Sequence, residues 1–251
     1  MNRLLLMLAC MFPCYLHAAC EELFIKKVRF NLGIKYEINS SSEFISCKVM
    51  PGDSRKTIVA IAKRQVGTEI NDSDTMGDYN LNLAIVDSKT RRVMIQRIYN
   101  RRFMSNGYRF DGIEVDSASY VVARKINVFG IKANSHMDFT SSESLNLFVV
   151  RNNKIDEILS DADMHIWFDV RHPGCESDSR ESIRIAANGM GKTKGFYDLV
   201  VTEKLVDTKG EFDNPKCKPQ QKIKIKKYIL RFNGTRYVIP NEMKEFDCRV
   251  C

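Results

Sequence analysis

Residues 222–239, KIKIKKYILRFNGTRYVI, contain two runs of strand-like sequence separated by Asn233-Gly234-Thr235. Lysine alternates with isoleucine at the start of the first run, residues 223–232, and the second run, residues 236–239, is rich in β-formers. Such patterns are typical of strands. Asn-Gly between two such runs is the strongest short-range signal for a hairpin, because both residues tolerate the left-handed backbone of a tight turn. The stretch therefore predicts a β-hairpin near the end of the chain.

The same type of run recurs through the rest of the sequence. Short segments rich in β-branched residues are separated by Gly, Pro, Asn, Asp and Ser; they are residues 57–62, 81–86, 92–96, 118–123, 145–150, 166–170 and 199–202. The charged stretch 204–222 reads as the longest loop, and a helical pattern is found only at 155–159, enough for a single turn. The sequence predicts an all-β fold, a propeller-like or sandwich array of short antiparallel strands.

The first 19 residues have the layout of a secretory signal peptide. Arg3 supplies a positive charge, residues 4–12 are apolar, and Leu16-His17-Ala18 resembles a signal peptidase site. The apolar run is shorter than the roughly 20 residues that span a bilayer. We expect cleavage that leaves residues 20–251 as a single β-rich domain, periplasmic or secreted, without a transmembrane anchor. A lipid anchor at Cys20 is the minor alternative.

The cysteine count fits an exported chain. Two of the 8 cysteines belong to the signal peptide. The six that remain are Cys20, Cys47, Cys175, Cys217, Cys248 and Cys251. In an oxidising compartment they predict up to three disulfides, and the sequence leaves the pairing open. Cys175 with Cys217 is the first expectation, because both lie in polar loops that flank predicted strands. Cys248 and Cys251 have redox-type spacing, but no helix is predicted there to lower a thiolate pKa, so a structural clip is favoured.

The chain carries a formal net charge of +8. Export argues against nucleic acid as the partner and favours an acidic protein or an anionic envelope polymer. Two basic stretches are candidate partner-binding sites, namely Arg97, Arg101 and Arg102, and Lys222, Lys224 and Lys226. The lysines have two explanations that the sequence leaves open. Lysine on an edge strand protects against edge-to-edge aggregation, and it can also steer an acidic partner.

Residues 71–81, NDSDTMGDYNL, suggest a calcium loop. Asp72, Asp74 and Asn80 supply oxygen ligands around a turn at Gly77, which is the type of donor set that calcium prefers. Met76 stands where a further ligand would be expected, and a solvated acidic turn is the alternative. No other cofactor is predicted.

The pattern Asp72-x-Asp74-x-x-Gly77-x-x-Asn80-Leu81 resembles the turns of FG-GAP-type β-propeller proteins. Gly195-x-x-Asp198-Leu199 is similar, and residues 230–237 resemble the last hairpin of secreted bacterial proteins with such turns. That group includes relatives of periplasmic lysozyme inhibitors and of immunity proteins against cell-wall hydrolases. The resemblance implies a stoichiometric inhibitor that binds a cell-wall hydrolase. An envelope module that binds glycan or another surface component, without enzymatic activity, is the alternative function.

Catalytic motifs are scarce. Residues 186–193, AANGMGKT, satisfy a permissive P-loop pattern, but a strand rather than a helix is predicted after Thr193, so a Gly-rich hairpin is favoured. No Gly-x-Ser-x-Gly elbow occurs. Carboxylate pairs for sugar hydrolysis meet only in the fold and stay open. The sequence favours a binding protein over an enzyme.

Overall fold

The computed structural model describes residues 20–34, 43–65, 76–104, 107–116, 118–124, 126–170, 177–210 and 218–244. Across these ranges the chain forms two helices and twelve strands. They are α1 (Glu22–Leu32), β1 (Glu43–Met50), β2 (Asp53–Arg64), β3 (Asp78–Asp87), β4 (Val93–Met104), β5 (Arg109–Asp116), β6 (Asn127–Met137), β7 (Thr140–Arg151), β8 (Lys154–Val170), β9 (Asp178–Thr193), β10 (Phe196–Lys209), β11 (Gln220–Phe232), β12 (Tyr237–Val238) and α2 (Asn241–Lys244).

The strands form two antiparallel sheets. The first contains β1 to β4 and the second β5 to β12, each in chain order, so within each sheet every strand pairs with its neighbours in the sequence. The prediction of an all-β, antiparallel fold is confirmed. Several strands are longer than expected, up to 17 residues in β8. Over the described ranges no closed propeller is present, because the strands form two extended sheets instead of separate four-stranded blades.

The first core lies between the four-stranded sheet and β5 to β8. Alternate residues of each strand point into it, as the two-residue period of a strand requires. Its members include Leu81, Leu83, Phe129 and Phe148. The two sheets also meet at their edges. Ser46 Oγ of β1 accepts a hydrogen bond from the backbone N–H of Val115 on β5 at 2.9 Å, and the Tyr99 hydroxyl of β4 donates to the Ile155 carbonyl of β8 at 3.0 Å.

Helix α1 covers the outer face of the four-stranded sheet. Its buried residues Ile25 and Val28 are one turn apart and pack on Val59 and Ala84. The helix ends at Gly33, which has a φ of 67° and caps the last carbonyls with its N–H. The sequence patterns did not predict this helix.

A second core lies on the other face of β7 and β8. There Leu147 and Leu159 pack with Leu199, Leu230 and neighbouring residues from β10 to β12. Strand β12 contacts β8 although three strands separate the two in the sheet order. The second sheet therefore curls back on itself and encloses this core.

Two assignments from the sequence are wrong. Residues 155–159 lie within β8 and not in a helical turn. Residues 118–123 form no strand, because this segment crosses over the second core, where Tyr120 and Val122 are buried. The predicted loop at 204–222 is also shorter, since β10 continues to Lys209 and β11 begins at Gln220.

The predicted hairpin at Asn233 is confirmed, although β12 has only two residues. The P-loop-like glycines lie in β9, and the turn at Lys194 and Gly195 leads into β10 rather than a helix. A Cβ atom on Gly189 would come within 2.8 Å of the Asp198 backbone carbonyl oxygen. Glycine is required there because the backbone of β10 passes directly against it.

One disulfide joins Cys20, just before α1, to Cys47 on β1. This confirms that the chain is disulfide-stapled. Cys175, Cys217, Cys248 and Cys251 lie outside the described residues, as do residues 1–19 of the predicted signal peptide. No helix in the described ranges is both long enough and apolar enough to cross a membrane.

Replacing Cys20 and Cys47 together by Ser should lower the free energy of unfolding by about 3–4 kcal/mol. The bond closes a loop with a sequence separation of 27 residues, and opening it restores the entropy of that loop to the unfolded chain. Urea denaturation of the variant and of the oxidised and reduced wild type measures the change. An identical midpoint for variant and oxidised wild type would contradict the prediction.

Candidate interaction surface on strand β11

Strand β11 leaves the second core part of the way along its length. Tyr228, Leu230 and Phe232 are buried, whereas residues 220–227 are exposed on both faces of the sheet. The exposed half pairs with residues 202–209 of β10, and these pair with residues 178–185 of β9. The end of the sheet therefore extends past the core, with solvent on much of its surface.

The outer edge of β11 is open. Strand β12 pairs only with Arg231 and Phe232, so in the part of the chain that the structure describes, no strand borders the outer side of residues 220–230. An open edge presents unpaired backbone N–H and carbonyl groups that can bind another strand. We call this segment the lysine edge, since it carries Lys222, Lys224 and Lys226.

One face of this extension carries four isoleucines on either side of the exposed Lys204. Ile183 on β9 and Ile225 on β11 both pair with Lys204 on β10, so they lie on the same face. Ile185 and Ile223 lie two residues away on the same strands. Ile185 is 68% exposed and Ile225 is 59% exposed. We refer to these four residues as the isoleucine face.

The three edge lysines point to the opposite face. They lie across from Asp207, Leu205 and Glu203 of β10. The two acidic residues already have other partners, because Asp207 binds Arg180 at 2.5 Å and Glu203 binds Arg184 at 2.8 Å. Among the described residues no carboxylate forms an ion pair with the edge lysines, so their charges are available to a partner.

A buried polar cluster supports the base of the extension. Glu203 and Arg184 have side chains only 3% and 2% exposed. Glu203 also accepts hydrogen bonds from the Ser182 and Tyr228 hydroxyls, both at 2.7 Å. Burial alone would raise the pKa of Glu203, but these hydrogen bonds and the Arg184 charge outweigh it and lower the pKa. Burial, together with the bond to Glu203, raises the pKa of Tyr228 to about 12.

Because of this cluster, the side chains of β9 that are buried are the reverse of those expected from the sequence. The sequence Ile183-Arg184-Ile185 would normally place isoleucine inside and arginine in solvent. The structure does the opposite, with Arg184 buried and both isoleucines exposed. Sequence reasoning missed the isoleucine face for this reason, and the run of alternating Ile and Lys in β11 was its only visible signal.

The predicted arginine site divides between surface and interior. Arg97 lies over the Tyr99 ring, 5.7 Å from its centroid, and Arg101 binds Asp78 at 2.8 Å. The side chain of Arg102 is buried between Glu157 and Asp161. The structure therefore does not bring the three arginines together on one surface. They lie on β4 of the first sheet, whereas the edge lysines lie on β11 of the second.

Asp72 and Asp74 of the predicted calcium loop lie outside the described residues. Asn80 is the third residue of β3, and its side-chain oxygen accepts a hydrogen bond from the backbone N–H of Arg101 at 2.8 Å. Within the described ranges no three His, Cys, Asp or Glu side chains cluster as a metal site would require. Calcium binding stays a prediction.

Comparison with known proteins adds no assignment. No protein-family model matches the chain, and no characterised protein and no solved structure shows significant similarity to it. The function must therefore be argued from the surfaces and clefts of the fold.

Replacing Glu203 by Gln should cost about 3–5 kcal/mol of stability at neutral pH, because it leaves the buried Arg184 charge without its partner. The pKa of Glu203 is lower in the folded state than its ordinary value of 4.5. The ionised carboxylate therefore stabilises the fold above about pH 4.5, and this stabilisation is lost as the pH falls and the carboxylate is protonated. The difference between wild type and variant in urea denaturation should therefore shrink from about pH 7 to about pH 3.

Glu181→Gln is the matched control. Glu181 lies on the same strand and binds His165 at 2.9 Å, but its side chain is 39% exposed. Its replacement should cost less than about 1 kcal/mol. Equal effects of the two substitutions would show that the Glu203 cluster does not stabilise the extension.

Proposed function

We propose that this protein is an exported binding protein that takes up an extended segment of a protein partner along the lysine edge. The observation that carries the proposal is an open edge strand with unpaired lysines on one face and exposed isoleucines on the other. Addition of a strand to such an edge is a common mode of recognition, in which backbone hydrogen bonds supply affinity and alternate side chains supply specificity.

The two faces define the sequence that would pair best. A strand added next to β11 places its side chains alternately beside Lys222, Lys224 and Lys226 and beside Ile223 and Ile225. The favoured partner segment therefore alternates acidic with apolar residues. Acidic residues would also speed association through attraction to the lysines.

Export is supported by two independent features. Residues 1–19 have the pattern of a signal peptide, and the Cys20–Cys47 disulfide is the type of bond that persists in the periplasm or outside the cell. We therefore place the protein in the periplasm or among secreted proteins.

The proposed partner is a cell-wall hydrolase, which the protein inhibits by forming a stoichiometric complex. The resemblance of its turns to secreted inhibitors suggests this class. The charge of the lysine edge supports it, because glycosidases carry a pair of carboxylates in the substrate groove. A basic strand held next to such a groove would meet those carboxylates and exclude substrate. The protein acts by binding and not as an enzyme.

Replacing Lys222, Lys224 and Lys226 together by Glu should abolish inhibition of the target. The reversed charges would repel the acidic partner segment, and the wild-type effect should weaken with added salt. The measurement is the clearing of a peptidoglycan suspension by an invertebrate-type lysozyme, titrated with oxidised protein that starts at Cys20. We expect complete inhibition at a one-to-one ratio for wild type and a loss of at least about a hundredfold in affinity for the variant, since three close charge contacts are reversed.

Two further variants test this interpretation. Replacing Lys89, Arg124 and Lys154 by Glu makes the same change of charge at exposed positions away from β11 and should leave inhibition intact. Replacing the three edge lysines by Gln tests whether they only prevent aggregation of the open strand. If the variant self-associates but still inhibits the lysozyme, the lysines protect the edge and do not bind the partner. Retention of the protein on peptidoglycan without any inhibition would indicate the alternative function, an envelope module that binds glycan.

A further inference from the structure

A cleft of about 340 Å³ opens at one end of the first core, away from β11. It lies where β4 ends and β5 begins, against β6, β7 and a bulge in β8. Phe103 and Phe110, whose rings stack at 5.1 Å between centroids, form its apolar floor. This volume is at the lower end of the range for small-molecule sites, which is about 300–1,000 Å³. The cleft can therefore take a ligand of one or two sugar rings.

The bulge in β8 presents a carboxylate to this cleft. Leu145 and Leu147 of β7 pair with Ala162 and Leu159 of β8, so β8 contains an extra residue between these pairs. The extra segment includes Asp161, which has a φ of 50°. Left-handed backbone is uncommon for residues other than glycine, although Asp and Asn tolerate it better than most, and residues held in it are enriched at functional sites. The Asp161 side chain is 61% exposed.

Buried Asn146 holds the bulge in this conformation. Its side-chain oxygen accepts a hydrogen bond from the backbone N–H of Asp161 at 2.8 Å and also contacts the Arg102 guanidinium. Its amide group donates to the Ile131 carbonyl at 3.4 Å. An Asn fully enclosed by the fold is retained only where its hydrogen bonds are satisfied, and here they fix the position of Asp161.

Arg102 positions Asp161 through a set of ion pairs and hydrogen bonds. Its Nε and Nη2 groups donate to Glu157, its Nη2 also donates to Ser160, and its Nη1 donates to Asp161 at 3.0 Å. A guanidinium has five N–H donors, and these contacts occupy all three of its nitrogens. The Asp161 carboxylate retains acceptor capacity, because a carboxylate has about four lone-pair sites.

The charges around the cleft do not favour an anion. Arg102 faces two carboxylates, Glu157 and Asp161. Burial raises the pKa of Glu157 and the Arg102 charge opposes that rise. Arg102 is the one cation among the described residues that line the cleft, and the two carboxylates offset its charge. Phosphate or a carboxylate ligand is therefore not attracted, whereas an uncharged ligand meets no electrostatic penalty.

Two polar side chains on the cleft wall are available to a ligand besides Asp161. Tyr108 and Ser144 line the cleft, and their side chains make no hydrogen bond with other described residues. Together with Asp161 they supply hydroxyl and carboxylate groups above aromatic rings. A neutral sugar requires this combination, because its hydroxyls need both donors and acceptors while its C–H faces pack on apolar rings.

We propose that this cleft is a binding site for a small uncharged saccharide. Asp161 and Ser144 bind its hydroxyls, and Tyr108 packs against the sugar ring. The site is separate from the lysine edge, so the proposal is independent of the partner inferred above. It would allow the protein to hold an envelope glycan while β11 binds a protein.

The test uses the oxidised protein that starts at Cys20, with glucose, N-acetylglucosamine and their β-linked disaccharides as probes at millimolar concentration. Binding is measured by calorimetry and by NMR shifts of cleft residues. At least one probe should bind with a millimolar or tighter Kd. Tyr108→Ala should weaken it about tenfold through lost apolar contact. Asp161→Asn, which keeps the size and the left-handed preference, should weaken it about fivefold because a charge-assisted hydrogen bond is lost.

Two controls make the result decisive. Asp156→Ala removes a carboxylate from the same strand outside the cleft and should leave the Kd unchanged, as should the Glu variant of Lys222, Lys224 and Lys226. Inorganic phosphate should not bind in the cleft. The proposal is overturned if none of the four sugars binds, if Tyr108→Ala has no effect on a protein with unchanged melting temperature, or if phosphate displaces the sugar.

Discussion

Strand β7 is buried on both faces, and the rest of the structure depends on this constraint. Leu145, Leu147 and Val149 point into the second core, while Phe148 points into the first. A strand with solvent on neither side requires a layer on each face. The four-stranded sheet supplies one layer, and the curled end of the second sheet supplies the other. Both candidate sites lie where these layers end: the cleft at the edge of the first core, and the lysine edge beyond the second.

Polar residues in this fold are buried where they shape the backbone. Asn146 holds the bulge of β8, and Asn82 makes the equivalent bond on β3, from its amide to the Ile61 carbonyl at 3.3 Å. The two asparagines occupy matching positions in the segments 81–83 and 145–147, which look alike in the sequence. The Leu-Asn-Leu pattern of each segment therefore gives the same cross-strand hydrogen bond in two different sheets.

The extension formed by β9 to β11 leaves apolar side chains exposed that would stabilise the fold if they were buried. Burying an isoleucine side chain is worth about 1.5–3 kcal/mol, and four of them stay partly in solvent on the isoleucine face. The Arg184 and Glu203 cluster occupies the opposite, buried face at the base of this extension. Because a buried ion pair adds little net stability by itself, this arrangement is understandable if a partner covers the isoleucines and recovers the lost free energy.

Periodicity in the sequence determined most of the strands, their antiparallel order and the final hairpin, because side-chain alternation and turn chemistry are local properties. Helix α1 escaped detection, since exposed Leu23 and Phe30 obscure the apolar stripe formed by Ile25 and Val28, and the sheet beneath supplies most of its stability. Alternation also shows which residues share a face, but not which face is buried. The tertiary structure decided that Arg102 and Arg184 face inward and that Ile183 and Ile225 face outward. It likewise decided that Cys20 pairs with Cys47, since these outcomes depend on contacts between residues far apart in the chain.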